Sequence, residues 1–205
     1  MSRIAVSSAA FGTIGGLYLI AVYCALGTGA DVVTRIIAQG FEAPQLYCFS
    51  GGIVAALSLL INRASPSKGS LRTRRPITLA VRSALFILSS VCYFFAFRTL
   101  PFAEVFVFIA LVPIFTALLS GPILSEDVRW QSWLALIAGV GGMVLLYPEG
   151  LAALSFAHLS AFFGALSGAS AMVLARHISR DESNALLQVF YPNLAMCLVM
   201  LAILP

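Results

Sequence analysis

The side chains that could do chemistry are few and far apart. A nucleophilic serine inside a membrane needs a histidine within hydrogen-bonding reach. Ser167-Gly168 supplies the serine, but His158 and His177 flank its apolar run at opposite ends. A retinal Schiff base needs a lysine within a span, whereas Lys68, the single lysine, lies in a polar linker. Direct ATP coupling is unsupported, because no glycine-rich phosphate loop with its lysine is present. Cys24, Cys48, Cys92 and Cys197 form no CxxC or histidine-paired spacing, so neither a disulfide framework nor a metal site is indicated. The pattern predicts a protein that is not an enzyme and carries no cofactor and no metal.

Composition explains why so little chemistry is available. Of 205 residues, 60% are hydrophobic and 10% charged, against roughly 25% charged in an average soluble domain. A soluble enzyme would need charged helix faces, and a disordered chain would need far less apolar surface. The net charge of +4 does not make a nucleic-acid face, since the basic residues sit between hydrophobic runs rather than beside aromatics in solvent. The predicted partners are the lipid bilayer and a small solute, with no nucleic acid; the oligomeric state is left open.

Crossing the hydrocarbon takes about 20 residues of helix, and hydropathy places seven such spans. They lie near Thr13 to Ile37, Pro44 to Ile61, Ile77 to Thr99, Pro101 to Leu124, Trp130 to Tyr147, His158 to Ile178, and Ala185 to the last residue. Apolar residues occur all round each helical period, and the ten-residue alternation of a closed barrel is absent. The fold class expected is all-α, a polytopic transmembrane helix bundle. The run from Phe11 to Ile37 is too long for a signal-peptide core, so the first span should remain in the mature protein.

The linker Asn62 to Thr78 carries Arg63, Lys68, Arg72, Arg74 and Arg75 and no acid, which sets it on the cytoplasmic side. Arg3, Arg82, Arg129, Arg176 and Arg180 then also fall inside, together with Glu126, Asp127, Asp181 and Glu182. Arg35 and Arg98 lie outward with Asp31, Glu42, Glu104 and Glu149, and the amino terminus is cytoplasmic.

Pro44, Pro76 and Pro101 stand where a helix can start without a donor N–H. Pro113 and Pro192 lie within apolar runs, where each should kink the helix or open it. Small residues recur four apart at Gly12/Gly16, Ala135/Gly139, Ala138/Gly142 and Gly164/Gly168, a spacing that lets helix backbones approach in ordinary bundle packing.

Charged residues in hydrocarbon are the best functional pointers, yet near midplane the polar groups are uncharged. They are Tyr23 and Thr28 on the first span, Ser89, Ser90 and Tyr93 on the third, and Ser167 and Ser170 on the sixth. Serines that bond their own helix backbone are the plain structural alternative. Gln188, Tyr191 and Asn193 cluster around Pro192, where an opened backbone could offer carbonyls to a solute. Toward the outer interface, Asp31 and Arg35 are spaced for a local i,i+4 pair and Glu104 complements a helix N-terminus after Pro101. The alternative is that Asp31, Arg35, Arg98 and Glu104 form an outer gate.

One internal repeat is a candidate: Ala30-Asp31-Val32-Val33-Thr34-Arg35 followed by Gln45-Leu46-Tyr47, and Ala171-Met172-Val173-Leu174-Ala175-Arg176 followed by Gln188-Val189-Phe190-Tyr191. A repeat of five spans would invert its second copy. The stretch Phe94 to Gly150 reads FFAFRTLPFAEVFVFIALVPIFTALLSGPILSEDVRWQSWLALIAGVGGMVLLYPEG. Its short proline turn, mid-helix proline, acidic inner loop and glycine-rich helix ending in Tyr-Pro resemble the third-to-fifth-helix region of EamA-type members of the drug/metabolite transporter superfamily.

The resemblance covers essentially the whole chain. It implies residues 1–148 as one five-helix repeat and residues 149–205 as the first two helices of an inverted second one. It also implies an inner (plasma) membrane secondary transporter of a small organic metabolite, working by alternating access. Such proteins usually have ten helices, so a chain ending in its seventh span reads as an amino-terminal fragment. In that family helices one, three, four, six, eight and nine line the pathway, which makes Tyr23, Thr28, Ser89, Tyr93, Ser167 and Ser170 candidate solute contacts beside Gln188 and Asn193. The alternative function is a non-transporting membrane protein, such as a structural subunit or an inactive fragment of a carrier.

Overall fold

The structure, a computed structural model, describes residues 2–64, 71, 73–126, 130–146, 155–182 and 184–204. The repeat boundary expected at Pro148, and the charged residues Lys68, Arg72, Asp127, Arg129 and Glu149, lie outside the described residues. Among the described residues eight helices follow in order: α1 (Ser2–Ala38), α2 (Ala43–Ala64), α3 (Pro76–Thr99), α4 (Phe102–Ala110), α5 (Val112–Leu124), α6 (Trp130–Leu146), α7 (Phe156–Ser179) and α8 (Ala185–Ile203). By length and apolarity, segments in α1, α2, α3, α4 with α5, α7 and α8 can each cross a membrane. At 17 residues, α6 is about 26 Å long at 1.5 Å per residue. The chain divides into two compact units, residues 1–40 and 41–205. The first is α1, which starts well before the expected Thr13 because nothing from Ser2 onward breaks a helix.

Prolines set the helix starts in the second unit. Pro76 opens α3 and Pro101 is the N-cap of α4. Pro113 divides the fourth expected span into α4 and α5. Leu111 makes a tight turn with its N–H donating to the Phe108 carbonyl at 3.0 Å, and Phe115 resumes the α ladder onto Leu111 at 2.9 Å. Pro192 behaves otherwise, for α8 continues through it without a break. α5 likewise continues through Pro122.

Within residues 41–205 the helices interleave. α8 packs between α2 and α3, and α7 between α3 and the α4–α5 pair, with α6 against α5. The α3–α7 seam is antiparallel: Ser160 Oγ donates to the Cys92 carbonyl at 2.8 Å, while Ser89 Oγ donates to the Gly164 carbonyl at 2.8 Å. α2 and α8 are also antiparallel, joined by Asn184 Nδ2 donating to Asn62 Oδ1 at 3.2 Å and, further along, by Gly51 against Asn193 and Cys197. Large apolar side chains such as Phe49, Ile77 and Trp133 point outward, whereas Ala161, Ala165 and Ala169 are fully buried on α7. That inversion suits a lipid solvent, in which close backbone packing replaces the hydrophobic effect as the force between helices.

Candidate functional site

Polar groups in residues 41–205 gather at two ends of the bundle. One end is built from the α2 and α7 N-termini, the α3 C-terminus and the first turn of α4. There Arg98 NH1 meets Glu42 Oε2 at 2.8 Å, both side chains well exposed. Glu104, in the first turn of α4, accepts at Oε2 from His158 Nε2 at 3.0 Å. The Ser155 N–H donates to His158 Nδ1 at 3.0 Å. A backbone N–H can only donate, so Nδ1 accepts and Nε2 carries the proton. The imidazole therefore closes the α7 N-terminus and links it to α4, and it is itself buried (8% exposed).

The opposite end joins the residues before α3 to the α7–α8 turn. Arg75 Nε lies 2.6 Å from Asp181 Oδ2, and its NH1 also contacts His177 Nε2. Glu182 Oε1 accepts from the Thr73 hydroxyl at 2.7 Å and from the Arg74 N–H at 2.6 Å. Arg176 and Arg180 both reach Glu126 beyond α5, at 3.2 and 2.9 Å. These bonds hold the α7–α8 turn to segments far earlier in the chain.

Between the ends, the serine candidates act mainly as helix fasteners. Ser167 Oγ donates to its own helix at Phe163 (2.5 Å), and Ser170 Oγ does so at Leu166 (2.7 Å). Ser89 reaches across to α7, and Tyr93 lays its ring against Gly164, whose missing side chain makes the room. Gln188 and Asn193 flank Pro192 as expected. Gln188 Nε2 donates to Ser179 Oγ at 2.7 Å, and Asn193 Nδ2 donates to the Val189 carbonyl at 2.8 Å. Beside this turn a cavity of about 500 Å³ lies between α3 and α8, open on one side along the exposed Pro76, Ala80 and Ala84 and lined elsewhere by Thr73, Leu79, Ser83, Ile87, Tyr191 and Ala195. Its wall is mostly apolar with hydroxyls at few points, the make-up of a pocket that orients a small organic molecule.

Tyr23, Thr28, Asp31 and Arg35 lie on α1, in the first unit, where Tyr23 and Thr28 are exposed. Within the second unit Arg98 has Glu42 as its acidic partner and Glu104 has His158. The residues that sequence reasoning passed over are Glu42, His158, Arg82, Ser83 and Gly51. Gly51 had a readable signal, since it stands four before Ala55 on the same helix face and both are buried. Arg82 had one too, as a cation six residues inside an apolar helix.

Residues 13–147 match the EamA-like transporter family. An S-adenosylmethionine uptake transporter of Rickettsia prowazekii (strain Madrid E) is 30% identical over 104 residues, covering 45% of this chain and 35% of that protein. The chain thus aligns with about a third of its curated relative's length. The family match spans the first five expected spans, including the Pro113 break and the Glu42, Arg98 and Glu104 cluster. This chain is a multi-pass membrane protein and belongs to the EamA-like transporter family, in the drug/metabolite transporter superfamily.

Proposed function

We propose that the chain serves a secondary carrier of the plasma membrane that moves a small organic metabolite by alternating access, with its amino terminus in the cytoplasm and no catalytic step. The observation that carries this reading is a solute-sized cavity between α3 and α8 in a chain of a transporter family. The positive-inside argument sets the Arg75 end in the cytoplasm, so the cavity belongs to the inner half, with Tyr191, Ser83 and Thr73 as its polar contacts. Gln188 and Asn193 fasten α8 around Tyr191 through Ser179 and Val189, Ser89 and Tyr93 hold the α3–α7 seam, and Ser167 and Ser170 bond their own helix beside it. Tyr23 and Thr28 are assigned to the pathway by the family resemblance. Glu42, Arg98, Glu104 and His158 form the outer cluster, and Asp31 and Arg35 are gate candidates by the sequence argument alone. The antiparallel α2 and α8 support an inverted repeat, because these are the second helices of the two repeats.

The name of the relative makes S-adenosylmethionine the first solute to assay. Purified protein in liposomes is given the labelled compound and a panel of small metabolites, beside Ala84→Trp, which fills the cavity. Saturable uptake that Ala84→Trp abolishes is the expected result. Flux equal to that of protein-free liposomes across the panel, with the protein folded and inserted, would favour a non-transporting role.

A further inference from the structure

We propose that Arg82 of α3 supplies the hydrogen bond that Pro192 denies to α8, so that α8 is braced at Pro192 only while α3 is docked on it. In an α-helix the N–H of residue 192 would donate to the carbonyl of residue 188. Proline has no N–H, and the carbonyl of Gln188 is left without its helical donor. Arg82 NH1 donates to that carbonyl at 2.7 Å. The next carbonyl, that of Val189, receives the Asn193 side chain at 2.8 Å. Gln188 itself is tied to Ser179 at 2.7 Å, and the Pro192 ring is fully buried. The turn that a proline usually opens is thus fastened by side chains, two of them from other helices, Arg82 of α3 and Ser179 of α7.

The choice of donor has a cost that identifies it as more than filler. A cation within a membrane span is expensive unless it is well bonded, and Arg82 Nε finds no acceptor among the described residues. A charge-assisted bond to a carbonyl that proline leaves without its helical donor offsets that cost. Arg82 does not line the α3–α8 cavity, but Leu79 and Ser83 beside it do, as does Tyr191 within the fastened turn. Arg82 is therefore a positioning residue. When α3 withdraws, α8 regains the freedom to bend at Pro192, and Tyr191 and Ala195 move relative to the α3 wall.

The inference rests on this hydrogen bond and not on the transport reading, and its test needs no solute. Arg82→Met keeps the apolar stem and removes the donor, while Pro192→Ala restores an N–H to the Gln188 carbonyl. Arg82→Met alone should lower the melting temperature of the purified protein by about 5 °C, from the usual worth of a charged hydrogen bond. In the Pro192→Ala background the same change should cost well under half as much. A single cysteine at Ala195, in a protein otherwise free of cysteine, should react faster with a small thiol reagent in Arg82→Met and return to the original rate when Pro192→Ala is added. If Arg82→Met does not accumulate in the membrane, its recovery by Pro192→Ala becomes the readout. Equal losses in both backgrounds, or no recovery, would overturn the assignment and make Arg82 an ordinary interfacial cation.

Discussion

His158 donates from Nε2 to Oε2 of Glu104 across 3.0 Å, and the direction of that bond is fixed by the Ser155 amide on the other face of the ring. One side chain thereby closes the α7 N-terminus and ties it to the first turn of α4. A partly buried bond of this kind couples its two ends energetically. Glu104→Ala and His158→Asn should each lower thermal stability, and the double variant should lose less than their sum, with a coupling of about 0.5–3 kcal/mol. Strict additivity in melts of the four proteins would show that the two helices are not joined through this pair.

The α2–α8 contact predicts a steep response to a single methyl group. A Cβ on Gly51 would stand 2.8 Å from the Asn193 carbonyl oxygen and 3.3 Å from the Cys197 nitrogen, both backbone atoms that cannot step aside. Gly51→Ala should cost about 1–3 kcal/mol, as overpacking does. Gly52→Ala meets the movable Cys197 sulfur at 3.3 Å and should cost less. A Gly51→Ala protein as stable as its parent would mean that the two helices are not in contact at this level.

Across the α3–α7 seam the crowding is conditional. A Cβ on Gly168 would lie 2.8 Å from Ser89 Oγ but 3.8 Å from Ser89 Cβ, so the hydroxyl alone is in the way. Gly168→Ala should destabilise the protein, Ser89→Ala should cost about 0.5–1.5 kcal/mol through the lost bond, and Ser89→Ala should make Gly168→Ala tolerable. Finding the double variant worse than either single one would contradict that geometry.

Arg98 and Glu42 make the opposite case. Their 2.8 Å contact is open to solvent on both sides, and such pairs are worth about 0–1 kcal/mol. Arg98→Gln should leave the melting temperature nearly unchanged. If the outer cluster closes a carrier, the variant should still alter uptake more than Arg72→Gln, and adding Glu42→Gln should recover part of the loss. Indistinguishable uptake by the Arg98 and Arg72 variants would reduce the pair to interfacial anchors.

Orientation is open to direct chemistry. With all four cysteines replaced, a cysteine at Thr99 should react with an impermeant maleimide on intact cells, and one at Lys68 only after the membrane is opened. Reaction at Lys68 in intact cells would reverse the proposed topology.

Much of this architecture is legible in the sequence, because the bilayer imposes a length on each helix and proline marks where helices begin. The second, third and fifth to seventh expected spans lie within a few residues of α2, α3, α6, α7 and α8, and the Pro113 break follows from the missing N–H alone. Ser167 and Ser170 bond their own helix, the alternative that spacing within a helix already offered. What the sequence hides are the choices made between helices. Arg98 and Glu104 are visibly at one end, yet local spacing points to Asp31 with Arg35, while Glu42 and His158 become partners only through packing. Pro192 should kink or open α8 on local grounds; α8 runs on through it, and the Gln188 carbonyl that proline leaves without its N–H takes a guanidinium from a helix far earlier in the chain.

The interleaving of α7 and α8 among α2, α3 and α5 bears on how such a protein is made. Helices inserted in order from the amino terminus leave α2 and α3 side by side in lipid with their future partners not yet synthesised. Gly51, Ser89 and Arg82 must wait until the last described helices arrive and wedge between neighbours already in place. Assembly of this bundle is therefore a late event, and Arg82 of α3 meets the Pro192 turn only once α8 has been inserted. A nascent chain held short of α8 should expose Arg82 as an unsatisfied cation, which is the kind of feature that membrane quality control removes.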